Sequence, residues 1–337
     1  MTMAKGMTAA MLEAAGAPLR VTEMARPEAG AGQVLVRISA SGVNPLDVKI
    51  HAGRADHARH PLPAILGLDL AGVVEAVGQG VTTFAPGDEV YGMTGGVGGI
   101  QGTLAEFAAV DARLLARKPS NLTMREAAAL PLVAITAWEG LVDRANVRAG
   151  QTVLIHGGGG GVGHVALQIA RARGAEVYAL VSDRHKDAVA RYGGIPIDYR
   201  ATTVQQYVNT YTDGRGFDIV YDTVGGDAID AAFQAVRFHG HVVSCLGWSP
   251  HALAPLSFRG ASFSGVFTLL PLLTDEGRAH HGDILRQTAK LVEAGELLPR
   301  VDGRRFTLHT VCDAYRAIAA GHTGARLVIE MGRPAAG

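Results

Sequence analysis

His156-Gly-Gly-Gly-Gly-Gly-Val-Gly163 is the stretch of this 337-residue chain whose spacing points most directly to chemistry. It holds Gly158-x-Gly160-x-x-Gly163, with Gly161 and Val162 inside the motif. The apolar run Thr152–His156 precedes it, and Val162, Val165, Ala166, Ile169 and Ala170 follow at helical spacing. In a strand, loop and helix of this kind the first glycine allows a tight turn. The second lets backbone approach a pyrophosphate, and the third lets helix and strand pack closely, with the helix N-terminus facing the anion. A flexible loop is the bland alternative in a chain with 44 glycines, nearly twice the ordinary share. The order strand, loop, helix, second strand argues against it. No Lys-Ser or Lys-Thr pair follows the glycines, which disfavours a phosphate-splitting loop.

The end of the second strand, Glu176–Val181, reads the ribose of a dinucleotide. A carboxylate there accepts both hydroxyls of NAD, whereas a 2′-phosphate needs small polar or cationic groups. Ser182 ends the strand, Arg184 offers a bidentate contact and Lys186 follows four residues on. Asp183, twenty residues past Gly163, has the spacing of an NAD carboxylate. Adjacent residues at a strand end point to opposite sides, so Asp183 is expected to face solvent and NADPH is favoured over NADH.

These groups need elements to carry them. From Val34 to Phe107 short β-like runs (Val34–Ile38, Gly72–Ala76, Glu89–Tyr91, Ala105–Ala109) alternate with Gly, Pro, Asn and Asp, the texture of an all-β, barrel-like unit. After Pro131 strands alternate with helices: Val177–Val181 before Lys186–Tyr192, Ile219–Tyr221 before Ala228–Arg237, then Val242–Leu246 and Ser262–Phe267. That pattern predicts a doubly wound parallel sheet, hence an α/β fold. The tail mixes a helix at Ile284–Ala294, a strand near Phe306, a helix at Val311–Ala319 and a strand at Arg326–Glu330. Met1 to Gly6 reads as a loose extension.

Composition narrows the partners. Lys plus Arg and Asp plus Glu both number 31, and no basic cluster offsets that balance, so nucleic acid is disfavoured. The longest apolar stretches, such as Gly265 to Leu273, are too short for a membrane span, and no secretory leader pattern opens the chain. Cys245 and Cys312 alone cannot build a disulfide framework and suit a reducing cytoplasm. His51, His57 and His60, like His239-x-His241 and His280-His281, read as solvated loop histidines because nothing completes a ligand set; no metal is expected.

Several motifs in order resemble the medium-chain dehydrogenase/reductase superfamily, in its zinc-independent quinone oxidoreductase-like branch. They are Ser41-Gly-Val-Asn-Pro-Leu-Asp47, Gly67-Leu-Asp-Leu-Ala-Gly-Val-Val74, Pro86-Gly-Asp-Glu-Val-Tyr91, Gly102-Thr-Leu-Ala-Glu-Phe107, Ala128-Ala-Leu-Pro131 with Thr136-Ala137, the glycine loop, and Thr323-Gly-Ala-Arg-Leu-Val328. The resemblance implies a GroES-like β-barrel catalytic domain over residues 1–131 and 270–337. It implies a Rossmann NADP-binding domain over 132–269, an active site in the cleft, and a homodimer.

Zinc-dependent relatives carry a Cys at Asn44 and a His-Glu pair at Leu68-Asp69. An amide binds Zn²⁺ poorly and Leu not at all, and two cysteines cannot supply a structural quartet. Without a Lewis acid an alkoxide loses its stabiliser, which turns the expected chemistry towards quinones and α,β-unsaturated carbonyl compounds. The implied catalytic residues are Asn44, for the nicotinamide ribose or substrate oxygen, Lys49, for a developing enolate, and Thr136, near the nicotinamide. Asn44 is also a turn residue before Pro45, Lys49 also a surface lysine, and Thr136 also an ordinary helix threonine. Asp47 is expected to cap the helix that Pro45 starts, and Asp69 to be structural. Tyr199 resembles the phosphate-contacting tyrosine, and Val266 and Phe267 end the strand whose backbone holds the carboxamide. Val224, Leu246 and Arg326 complete the implied cofactor-binding set. Enoyl-thioester reduction, or NADPH binding without turnover, are the rival functions.

Overall fold

The structure, a computed structural model, describes residues 6–321 and 325–332. Met1–Lys5, and Thr323 and Gly324 of the last motif, lie outside them. The chain divides into two compact units. One comprises Met1–Leu132, Leu269–Glu293 and Pro299–Gly337, and the other Val133–Thr268 with Ala294–Leu298. The tail is therefore not continuous in the first unit, because five residues within 270–337 belong to the second.

The first unit is built on antiparallel strands. Gln33–Gly42 pairs along its length with Asp69–Val77, while its first half also pairs with Phe107–Asp111 and its last residues with Val328–Glu330. Glu89–Met93 and Leu115–Arg117 extend the sheet beyond Asp69–Val77. Alternate residues Val34, Val36 and Ile38 face Leu70, Val74, Val90, Ala108, Val110 and Leu115 in one apolar core. That period of two is the pattern by which these strands were legible.

The second unit is a six-stranded parallel sheet in the order Ile195–Asp198, Glu176–Val181, Thr152–His156, Phe217–Asp222, Val236–Ser244, Ser262–Gly265. The order reverses beside Thr152–His156, and the glycine loop leaves that strand at its carboxyl end, where doubly wound sheets bind ligands. Core residues Leu154, Tyr178, Leu180, Phe217, Val220 and Val242 make the strands near-continuous apolar runs, as a sheet covered on both faces requires.

Several boundaries differ from the sequence reading. Gly6 already belongs to the strand Gly6–Leu12. The strand expected at Ala105–Ala109 runs Phe107–Asp111, and Ala105 instead bridges Ala9. The helix expected to reach Arg237 stops at Ala235, because Val236 and Arg237 open the strand Val236–Ser244, which ends before Leu246. Val266 and Phe267 follow the strand Ser262–Gly265 rather than end it. The last strand is Val328–Glu330, and Arg326 forms an isolated bridge with Val301. The strand Ile195–Asp198 and helix Val204–Thr212 were not foreseen, although Thr203 and Gln206 form the reciprocal cap that marks a helix start.

Candidate active site

In the second unit the glycine loop is packed too closely for side chains. A Cβ on Gly163 would lie 2.2 Å from the Gly157 carbonyl oxygen, and one on Gly158 would lie 2.5 Å from the Ala179 Cβ. The helix Gly161–Ala172 starts behind Gly160, which brings no side chain to its first N–H groups. Those donors remain for an anion, and the loop fits the pyrophosphate of a dinucleotide.

Two further loops are tied to the same sheet edge by a residue that sequence reasoning passed over. The buried Asp222 carboxylate accepts from the backbone N–H groups of Val224 (3.0 Å) and Gly225 (3.1 Å) and from Ser244 Oγ (2.7 Å). Ser244 Oγ in turn accepts from the Leu246 N–H at 3.0 Å, and Thr223 Oγ1 donates to the His156 carbonyl at 2.6 Å. Val224 and Leu246 are thus fixed by one acid. A charged residue closing an apolar strand just before Gly225-Gly226 was the available signal.

At the ribose end, Ser182 is half-buried and Arg184 exposed. Lys186 Nζ lies between Asp183 at 2.9 Å and Asp198 at 3.3 Å, and these carboxylates raise its pKa. The Asp183 side chain is 86% exposed. Tyr199 is exposed under the Arg200 guanidinium, 5.5 Å from the ring centroid. Arg200 was not among the predicted residues.

Thr136 lies within the helix Pro131–Trp138 rather than at its start, with Oγ1 3.0 Å from Thr268 Oγ1, which donates to Glu139 Oε2 at 3.3 Å. Tyr221 Oη donates to the Thr136 carbonyl at 2.7 Å. Val266 is buried, and its N–H donates to the Ser244 carbonyl at 2.9 Å; Phe267 stacks edge-on with Trp248.

In the first unit Asn44 precedes the helix Pro45–His51, and the Asp47 carboxylate reaches back to its N–H at 2.7 Å. Its side chain is turned away from the helix. Asn44 Nδ2 donates to Asp69 Oδ2 at 3.0 Å, and Arg326 Nη2 donates to Asn44 Oδ1. Asp69 Oδ1 accepts from the Leu132 N–H at 3.0 Å, and Arg326 Nε donates to the Ala129 carbonyl at 3.2 Å. Asn44, Asp47, Asp69 and Arg326 are all buried. Burial pushes the Asp47 pKa up to about 8 and the Asp69 pKa up to about 6, against the opposing pull of Arg326, whose own pKa burial lowers. The structure thus brings together Asn44 and Arg326, while Lys49 stands exposed on the same short helix.

These residues do not fit zinc. The Asn44 amide is engaged at both ends, Leu68 presents hydrocarbon, and among the described residues no group of three His, Cys, Asp or Glu could hold a metal ion. Two histidine readings need correction. His281 is not a solvated loop residue but is buried in the helix Arg278–Glu293. His51 ends a helix, with Nε2 2.9 Å from the Ala17 carbonyl and its ring edge-on to Tyr315.

Comparison with known proteins places this architecture. The Alcohol dehydrogenase GroES-like domain family matches residues 30–120, and the Zinc-binding dehydrogenase family matches 194–329. A chloroplastic NADPH-dependent alkenal/one oxidoreductase of Arabidopsis thaliana is 33% identical over 311 residues, 90% of this chain and 73% of the relative. The chain belongs to the medium-chain dehydrogenase/reductase superfamily. A crystal structure of an alcohol dehydrogenase superfamily protein from Novosphingobium aromaticivorans superposes with a TM-score of 0.95 at 56% identity, covering 97% of this chain and all of that one. The phthioceranic/hydroxyphthioceranic acid synthase of Mycobacterium bovis is 38% identical over 310 residues, 90% of this chain, but the chain spans only 14% of that synthase. The first unit is thus a GroES-like domain and the second a Rossmann-like one, in an oxidoreductase of a superfamily whose members bind nicotinamide cofactors.

Proposed function

We propose that the protein is a zinc-independent, NADPH-dependent reductase of α,β-unsaturated carbonyl compounds or quinones. The observation that carries this reading is the occupation of the metal position. Where relatives hold a Lewis acid, Asn44 and Asp69 are bound to the buried Arg326 guanidinium, so the chemistry must suit an acceptor that is already electrophilic. NADPH supplies the hydride. The backbone of Gly158, Gly160, Gly161, Val162 and Gly163 holds its pyrophosphate, and Ser182, Arg184, Lys186 and Tyr199 meet the 2′-phosphate. Val224 and Leu246 line the nucleotide path, and Val266 and Phe267 offer backbone groups to the carboxamide. Asn44, Thr136 and Arg326 orient the reacting end, and Lys49 offers a cation to an enolate. The Arabidopsis relative's printed activity supports both the coenzyme and the acceptor class.

Enoyl-thioester reduction is the second reading, favoured by the synthase of which this chain resembles a part. A homodimer is the proposed assembly: the edge strand Ser262–Gly265 exposes Phe263, and Phe258 nearby in sequence is 79% exposed. No described helix is long and apolar enough to cross a membrane, and a cytoplasmic location remains part of the proposal. The deciding measurement is NADPH oxidation with a panel of quinones, enones and enoyl thioesters. Turnover of enones or quinones is expected. Turnover confined to thioesters selects the second reading, and tight NADPH binding with no turnover across the panel marks a nucleotide-binding protein that is not an enzyme.

A further inference from the structure

Reduction of an enone places negative charge on its carbonyl oxygen, and a donor must meet that charge. The Asn44 amide, buried and committed to Asp69 and Arg326, is already spent on holding its own cluster. A different group in the same unit is uncommitted. Among the described residues Thr94 carries the one buried Ser or Thr hydroxyl without a hydrogen-bond partner. By contrast Ser41 and Thr103, also buried in this unit, bond to each other at 2.7 Å. An orphaned buried hydroxyl costs roughly 1–3 kcal/mol and calls for a reason.

Position supplies one. Thr94 follows the strand Glu89–Met93, and its N–H donates to the Leu68 carbonyl at 2.8 Å, continuing the pairing of Met93 with Asp69. Opposed residues of an antiparallel pair share a face, so Thr94 stands beside Leu68, on the face from which relatives present a metal-binding histidine. Its methyl is turned back along the strand: a Cβ built on Gly92 would lie 3.0 Å from the Thr94 Cγ2. The chain beyond is held tightly. Gly96 has φ +73°, and a Cβ there would lie 2.5 Å from the Gly67 carbonyl oxygen, while one on Gly95 would lie 1.9 Å from the Gln101 carbonyl oxygen. A hydroxyl on so fixed a backbone is preorganised, which is what electrostatic stabilisation of a developing charge requires.

We infer that Thr94 Oγ1 donates a hydrogen bond to the carbonyl oxygen of an enone, in the place where zinc-dependent relatives use a metal ion. The inference rests on the proposed enone reduction. Hydride adds to the β-carbon and forms a C–H bond there. The electron pair of the C=C bond moves to form an enolate, whose oxygen Thr94 stabilises, and a solvent proton on the α-carbon completes the saturated ketone. The nicotinamide is oxidised by two electrons and the enone reduced by two.

Thr94→Val keeps the shape and removes the donor; Thr94→Ser keeps the donor. With 2-cyclohexenone, the valine variant is expected to lose about 10- to 100-fold in kcat while NADPH affinity and thermal stability hold, and the serine variant to recover most of the rate. The second readout needs no turnover. Carbonyl-¹³C cyclohexenone bound in the presence of NADP⁺ should show a downfield-shifted carbonyl resonance in wild type and Thr94→Ser, but not in Thr94→Val. An unchanged kcat and carbonyl shift in the folded valine variant, beside an active wild type, would overturn the inference and leave enone reduction standing. A valine variant altered only in melting temperature would show that the hydroxyl serves a buried water, which also overturns it. A wild type that neither binds nor reduces the enone overturns both.

Discussion

Two clusters in this molecule pair carboxylates with a cation, and their acids shift in opposite directions. Around Asn44, Asp47 and Asp69 share the buried Arg326, and both acids are pushed up because loss of water outweighs the guanidinium. Around Lys186, Asp183 and Asp198 lie at the surface, and Asp198 is held down, chiefly by the Arg200 N–H and then by Lys186. Solvent makes the difference. A buried cluster fixes geometry at a high desolvation cost and depends on every partner, whereas an exposed one is screened, worth little, and free to exchange a carboxylate for a ligand phosphate. The first suits the positioning of reacting groups and the second suits the reading of a coenzyme.

Removing the buried cation is the harshest test of that contrast. Arg326→Met leaves two carboxylates, the Asn44 oxygen and the Ala129 carbonyl without their donor, and breaking such a buried pair costs about 3–5 kcal/mol. Denaturant unfolding should show that loss, and Arg326→Lys should not repair it, because an ammonium cannot span Ala129 and Asn44 as the planar fork does. A loss within the ordinary surface range would mean that Arg326 is dispensable to the cluster. Next in size is Asp222→Ala, which frees the loops carrying Val224 and Leu246. NADPH should bind about 10- to 100-fold more weakly by titration, equivalent to about 1.4–2.8 kcal/mol. Unchanged affinity in a folded variant would detach those loops from the cofactor.

The pH dependence is smaller and its direction is fixed. Asp47 holds its proton in the folded protein up to about pH 8 but loses it near its model value of 3.8 when unfolded. Between those values the folded state binds more protons, so this residue's contribution to stability falls as pH rises and then levels off. Asp47→Asn keeps an oxygen for the Asn44 N–H and cannot ionise. Melting curves of the variant and wild type should coincide near pH 4 and diverge in the variant's favour towards pH 8. Asp69 and Arg326 face the same group and remain in both proteins, so the difference reports Asp47. Parallel curves would place the Asp47 proton elsewhere.

The same contrast explains what the sequence disclosed. The glycine loop is local: Thr152–His156, Gly158 and Gly163 lie within a dozen residues, and both the strand and the helix behind it were read from spacing. Asn44 and Asp47 were likewise legible as a helix start before Pro45. The rest of the cluster was not. Arg326 lies 282 positions from Asn44 and 257 from Asp69, and no periodicity joins residues so far apart. Read alone, Arg326 looked like the first residue of a strand. Asp222 was hidden differently, because its partners are backbone N–H groups of its own loop, which any sequence supplies. The burial of His281 followed the same logic: the helix was foreseen, but its inward face depends on what packs against it.

The smallest expected effect tests the exposed cluster. Lys186 is held by Asp183 and Asp198, so a 2′-phosphate must compete with both. Asp183, with its side chain 86% exposed, has the less anchored carboxylate and yields first; Asp198 also accepts from the Arg200 N–H and stays. Lys186→Ala should therefore weaken NADPH by only about 3- to 10-fold, leave NADH unchanged, and lose its effect as salt rises. Asp183→Asn should move the other way, tightening NADPH slightly by removing a competitor for Lys186. Dissociation constants for both coenzymes on these variants decide the matter. Tighter binding of NADH than NADPH to wild type, or NADPH affinity indifferent to Lys186→Ala, would mean that Asp183 turns inward to the ribose. Ser182 would then read nothing, and the surface cluster would be an NAD site.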